Sequence, residues 1–217
     1  MRDTVRDFLR SARQSVSVAL VLMLICGFAY PCLLTGLSGV LFPWQANGSL
    51  LTVNGQTLGS EHVGQEFVSD CYLWSRPSAY HYNVYTEDEN GSRFYLDGSE
   101  FAGLASGSEN YAPTNPALTE RVEQDLADFL EKNPTGKAED IPTDLLTASG
   151  SGLDPHISPA AAEVQVPRIA AASGLSEEKV REIIGNNTEG RLLGIFGEET
   201  VNVLRVNLEL AQEMGVC

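Results

Sequence analysis

VSVALVLMLICGFAYPCLLTGL, Val16–Leu37, decides the architecture of this 217-residue chain. No charged residue lies between Gln14 and Ser60. At a rise of ~1.5 Å per residue, about 20 apolar residues match a hydrocarbon layer of ~30 Å. The sequence therefore predicts 1–14 as a cytoplasmic N-terminus, 15–37 as a single transmembrane helix in the lipid bilayer, and 38–217 as an extracytoplasmic domain. A cleaved secretory signal is the alternative for basic residues ahead of an apolar run. It fits less well, because the run is long for an h-region and Pro31, Cys32 and Leu33 occupy the expected cleavage site.

Charge sets the expected orientation. Arg2, Arg6, Arg10 and Arg13 outweigh Asp3 and Asp7 by +2, which leaves −17 for the rest of a chain whose formal charge is −15. Arg76 is the first basic residue beyond the apolar segment. Short flanks obey the positive-inside rule, so the N-terminus is expected to stay in the cytoplasm and the domain to cross. Lysine occurs only at Lys132, Lys137 and Lys179. Cations this sparse and scattered leave no footprint for nucleic acid. Pro31 removes the amide that would bond the Gly27 carbonyl, which predicts a bend or local opening of the helix there.

Beyond the anchor, Asn54-Gly55 between Leu50–Val53 and Gln56–Leu58 reads as a hairpin turn. Phe67–Trp74 has strand-type residues without a clean period, and Thr86–Ser108 reads as a loop or exposed hairpin. Glu87-Asp88-Glu89-Asn90 reads as a solvated acidic turn, since the spaced oxygen ligands of a calcium loop are missing. One helix is expected from Asn115-Pro116, with Leu118, Val122, Leu126, Phe129 and Leu130 on one face. A second is expected from Ser158-Pro159 to Gly174, and a short third from Ser176. The alternation of Leu204, Val206, Leu208 and Leu210 favours a strand for Val201–Leu210, with a helix as the alternative. The sum is a small α+β domain, helices packed on a small sheet.

The chemistry-bearing patterns are mostly missing: there is no P-loop, GxGxxG, CxxC or HExxH. His62, His81 and His156 stand far apart, and no metal set follows from their spacing. Cys71 and Cys217 read as separate thiols, a mutual disulfide being the alternative. A hydrolase centre from Ser149, Asp154 and His156 would need three members within eight residues to converge. The polar clusters read instead as devices that shape the backbone, with Asp154 as an Asx turn.

The order of these clusters carries a resemblance. Phe42-Pro43 and Gln45–Leu50 come first, then Gly59-Ser60, Gly64-Gln65, Arg76–Ala79 and Tyr82-Asn83. Pro113–Pro116, TASGSGLDPHISP (147–159), Thr188–Arg191 and Val201–Leu204 follow. The chain resembles the KdpC family, the C subunit of the high-affinity potassium-transporting ATPase. The resemblance implies a non-catalytic accessory subunit, partnered by a P-type ATPase subunit and a channel-like subunit that selects potassium. It also implies a chaperone role in ATP binding, at a site shared with a partner. The family's glycine-serine stretch falls here on Ser106, Gly107, Ser108 and Asn110, with Glu109 among them to repel phosphate. Tyr85–Gly107 reads as an insertion ahead of it. A membrane-anchored hydrolase or sensor domain is the alternative function.

Overall fold

The computed structural model describes Arg2–Val216, with side chains from Arg10 onward; Cys217, and with it the question of its pairing, lies outside the described residues. Two units emerge, residues 1–49 and 50–217.

The first unit is helical from Arg2 to Leu41: α1 (Arg2–Leu24), one π turn (Ile25–Ala29) and α2 (Tyr30–Leu41). Residues 10–41 form the one described helix long and apolar enough to cross a membrane, with a mean hydropathy of 2.3 over an 18-residue stretch of it. The opening expected at Pro31 takes the form of the π turn. The Tyr30 amide reaches back to the Ile25 carbonyl, one residue further than in an α-helix, because proline in the next position has no amide to continue the ladder. A short α3 (Pro43–Ala46) follows.

The second unit begins with the hairpin of β1 (Leu50–Val53) and β2 (Gln56–Ser60). Asn54 and Gly55 both have positive φ, 51° and 81°, the backbone a two-residue turn of matching twist requires. The acidic stretch is a second hairpin, β3 (Tyr85–Glu87) against β4 (Arg93–Tyr95). Its tip is closed by Asp88, whose Oδ1 accepts the Asn90 and Ser92 amides at 2.9 and 2.8 Å.

The helices start where their caps are. Asn115 accepts the Ala117 amide ahead of α4 (Pro116–Lys132), and Ser158 accepts the Ala161 amide ahead of α5 (Pro159–Glu163). The helix expected to run on to Gly174 is interrupted. Pro167 cannot donate to the Glu163 carbonyl, so the chain turns at Val164-Gln165 and restarts as α6 (Val166–Ser173). Gly174, at φ 76°, ends α6 in the left-handed conformation. Ser176 caps α7 (Glu177–Asn186).

A three-stranded antiparallel sheet, β5 (His156–Ile157), β7 (Thr200–Asn202) and β6 (Thr188–Glu189), has β7 in the middle. The expected terminal strand stops there. Asn202 accepts the Arg205 amide and starts α8 (Val203–Glu213), whose buried residues Val203, Val206, Leu210 and Ala211 follow the helical period. The alternating leucines and valines favoured a strand; the cap and the helical stripe decide otherwise.

The core joins Leu73, Phe129, Ile157, Ile169, Ile183, Val201, Val206 and Leu210. Leu73 is fully buried yet belongs to no strand, so its backbone groups need partners from elsewhere. The Asn207 side chain supplies both: Oδ1 accepts the Leu73 amide at 2.7 Å, and Nδ2 donates to the Leu73 carbonyl at 2.9 Å. Gln165 repeats the device on Trp74, accepting its amide at 2.9 Å and donating to its carbonyl at 3.3 Å. Arg168 completes the set, donating to the Asp70 and Tyr72 carbonyls at 2.6 and 3.0 Å and to Asn133 Oδ1 at 3.0 Å. Its guanidinium lies 3.9 Å over the Trp74 ring. Burial lowers its pKa to about 10, so it remains a cation at neutral pH.

Asn207→Leu keeps the branched shape but leaves a buried amide and a buried carbonyl unpaired. It is expected to cost about 2–4 kcal/mol, read as a lower urea midpoint at unchanged slope. A loss below about 0.5 kcal/mol would mean that water reaches Leu73.

Candidate functional site

The stretch 147–159 has almost no regular structure, only β5 and the first residue of α5, and its hydroxyl, carboxylate and backbone groups are satisfied sideways. Ser149 Oγ accepts the Gly152 amide at 2.9 Å, and Ser151 Oγ accepts that of Leu153 at 3.2 Å. The Leu153 carbonyl takes the Gly64 amide at 2.9 Å, and the Pro155 carbonyl takes that of Val203 at 3.0 Å. The Ser158 amide donates to Asp144 Oδ2 at 2.7 Å. Two glycines permit this packing. Gly152, at φ 66°, lies against the Gly107 backbone, and a side chain at Gly64 would strike the Tyr82 ring and the Asp154 carbonyl.

The segment facing this ribbon is strained. His81, Tyr82 and Asn83 form a turn with three consecutive positive φ angles, 47°, 54° and 57°. Each costs a non-glycine residue roughly 1–2 kcal/mol, so the surroundings must hold it. Tyr82 is buried, and its hydroxyl donates to the Arg76 carbonyl at 3.0 Å, with the Asp154 carbonyl at 3.3 Å. Burial, then the Asp154 carboxylate, raises its phenol well above the usual range. Ser78 Oγ accepts the Tyr80 and Tyr82 amides at 3.2 Å and donates to the Gly152 carbonyl at 2.7 Å.

Arg76 and Asp154 form the charged centre of the ribbon, with Nη1 3.2 Å from Oδ2. Asp154 Oδ1 accepts the His156 amide at 3.0 Å, the Asx turn expected from the sequence. Its carboxyl is held below the usual carboxylate range, by His156 first and by Arg76 after it. The His156 ring nitrogen stands 3.7 Å from Oδ1, a longer contact than the bond from its own backbone amide.

The hydrolase alternative needs Ser149 joined to His156, and the two are not hydrogen-bonded. Ser149 Oγ is engaged by Gly152 and, at 3.2 Å, by Ser151 Oγ, while His156 Nε2 faces Asn202 Nδ2 at 3.5 Å. His81 sits apart, with Nδ1 2.9 Å from Glu66. Among the described residues, no group of three or more His, Cys, Asp or Glu side chains is arranged to hold a metal. Cys71 carries a free thiol.

The loop Ser106–Asn110 is built into the ribbon's edge. Both polar atoms of the Asn83 amide grip the backbone of Ala105, at 2.9 and 3.0 Å, and the Gly107 amide donates to the Ser151 carbonyl at 2.7 Å. Ser108 and Asn110 close on each other at 3.2 Å, and Ser106 is exposed. Beside the loop lies an open cavity of about 300 Å³. Its one cation, Arg121, escaped the sequence reading. It faces Glu109 and Asp125 at 3.8 Å each and stacks 5.8 Å from Tyr111. Burial pushes the Asp125 carboxyl up, with Arg121 opposing. Arg121 lies one helical turn before Asp125, a spacing the sequence shows. Its meeting with Glu109 is tertiary.

The model of the family described as "KdpC: K+-transporting ATPase, c chain" matches residues 12–212. The chain belongs to the KdpC family. A Potassium-transporting ATPase KdpC subunit of Clostridium kluyveri is 52% identical over 209 residues, covering 96% of this chain and 97% of the relative. The protein of the same name in Clostridioides difficile is 48% identical, covering 96% and 100%. That of Caldanaerobacter subterraneus is 43% identical, covering 93% and 95%. The resemblance read from the clusters therefore holds across nearly the whole chain, and the hydrolase and sensor alternatives find no support.

A carboxyl whose folded pKa is depressed adds stability above its unfolded value, about 3.9 for Asp, and loses it as pH falls through the lower folded pKa. Asp154→Asn should therefore be less stable than wild type at neutral pH, and the two should converge in acid once Asp154 is protonated. Urea midpoints measured from pH 7 down to acid test this. A gap that stays constant with pH would show that the charge of Asp154 is not what holds the ribbon.

Proposed function

We propose that this KdpC-family chain is the accessory, non-catalytic subunit of an ATP-driven potassium uptake complex. It sits beside a P-type ATPase subunit and a channel-like potassium-selecting subunit. The observation that carries the reading is the family match over residues 12–212. The wiring of 147–159 supports it, since the polar groups of this motif hold backbone and leave no paired nucleophile and base. The N-terminal arginines favour a cytoplasmic N-terminus and an extracytoplasmic domain. On that side the acidic domain attracts potassium, over a range that salt limits to about 8–10 Å.

The test is purification of the tagged chain from its native membrane. The expected companions are a P-type ATPase subunit and a channel-like subunit, and cells lacking the chain should fail to grow when potassium is scarce. Recovery of the chain with neither subunit would sink the reading.

For nucleotide, the same chemistry argues for weak binding by this chain alone. Tight binding needs several donors for phosphate. The loop cavity offers Arg121, already facing two carboxylates. The cavity lined by Arg76 and His156 also holds Asp144, Asp154, Glu198 and Glu199. The first turn of α7 carries Glu177 and Glu178. A role in ATP binding then requires positive groups from a partner. Titration calorimetry of the purified chain with Mg-ATP is expected to show no binding tighter than about 1 mM. A low-micromolar constant that is lost on altering Ser106–Asn110 would place a complete site here.

A further inference from the structure

The connection between β6 and β7 departs from the rest of the domain's surface. Leu192, Leu193, Ile195 and Phe196 are 70%, 82%, 74% and 62% exposed, all on one short loop. Exposed apolar residues scattered singly are ordinary, whereas adjacent ones mark an interaction surface. The loop is ordered by its own backbone. Leu192 and Phe196 exchange two hydrogen bonds, at 2.8 and 3.0 Å, and the Gly194 amide closes on the Arg191 carbonyl at 2.9 Å. Leu193 has a φ of 55°, a strained conformation for leucine. That strain presents the side chain to solvent, where the domain's own core gives it nothing in return. The base of the loop is fixed, because β7 is the central strand and leads directly into α8.

We propose that this tip docks the domain onto another protein subunit of the ATPase, in an apolar groove rimmed by Lys or Arg. The proposal rests on the function proposed above. Charge selects the occupant. Glu189, Glu198 and Glu199 flank the tip, all exposed; Arg191 lies on the tip, and Arg205, already paired with Glu61, stands 3.9 Å from Glu189, so the surround remains acidic. That acidic collar is repelled by anionic headgroups. A second copy of the chain would bring two such collars together, which like-charge repulsion opposes. A groove with a basic rim satisfies both the apolar centre and the acidic surround, the usual anatomy of an interface hot spot.

Two measurements on the assembled complex test this. The first puts the photo-crosslinker p-benzoylphenylalanine in place of Ile195, and the expected product joins the chain to another subunit of the ATPase. The second uses Leu193→Asn with Ile195→Thr. Asparagine tolerates the left-handed backbone, and both side chains lie outside the core, so the thermal midpoint of the chain should not change. Retention of the other subunits through a detergent wash should fall about tenfold. Crosslinks to lipid or to a second copy, no crosslink in a complex that does assemble, or undiminished retention of the double variant would each overturn the docking proposal. If the wild-type chain retains no ATPase subunit at all, the proposed function fails first, and this inference fails with it.

Discussion

Three polar side chains, Gln165, Asn207 and Arg168, hold in place a segment that the sheet does not reach. After a turn closed by the Tyr72 amide on the Ser69 carbonyl, the chain enters the core at Leu73, and there a backbone without partners is costly. A neighbouring strand would normally supply them. Here α8 contributes one carboxamide and α6 begins beside another, each bonding the amide and carbonyl of a single residue as a strand would. The guanidinium of Arg168 adds donors to the carbonyls just before and fixes the indole of Trp74 against α4 through Phe129, whose ring is 6.4 Å away. Helices α4, α6 and α8 are thus positioned around one irregular strand-like piece.

The ribbon 147–159 depends on this frame and uses the same economy. Its bonds run from hydroxyls and a carboxylate to backbone, and from backbone to β2–β3 connections and α8. A run so rich in Ser, Gly, Asp and His invites a catalytic reading, yet the hydroxyls of Ser149 and Ser151 and the carboxylate of Asp154 are already bonded to backbone or to Arg76. The strained turn at His81–Asn83 is the counterpart: it survives because Tyr82 is locked between Gly64 and Asp154.

Local signals in the sequence were legible where one residue's chemistry decides the outcome. Asn115, Ser158 and Ser176 cap helices as their side chains dictate; Asn54-Gly55 makes the turn its φ freedom allows; Pro31 opens the N-terminal helix. Two readings failed where a local pattern met a competing one. Leu204–Leu210 alternates, but the cap at Asn202 and the buried stripe of α8 prevail. Ser158–Gly174 reads as one helix unless the missing amide of Pro167 is counted. The clamps by Gln165, Arg168 and Asn207, and the meeting of Arg121 with Glu109, were out of reach, since they join residues that only the fold brings together. The apolar run at Leu192–Phe196 was visible as letters, but its exposure was not.

The π turn in the N-terminal helix has a further geometric effect. Each residue of an α-helix advances the chain by about 100°, so the extra residue absorbed at Ile25–Ala29 rotates everything after Tyr30 relative to everything before it. The small-residue positions Gly36 and Gly39, each with open space at the Cβ position, therefore face a different direction from the one an unbroken α-helix would give them. A neighbouring helix cannot follow one seam along the whole span. The N-terminal and C-terminal halves present separately oriented faces, and one helix can be held by two neighbours at different depths.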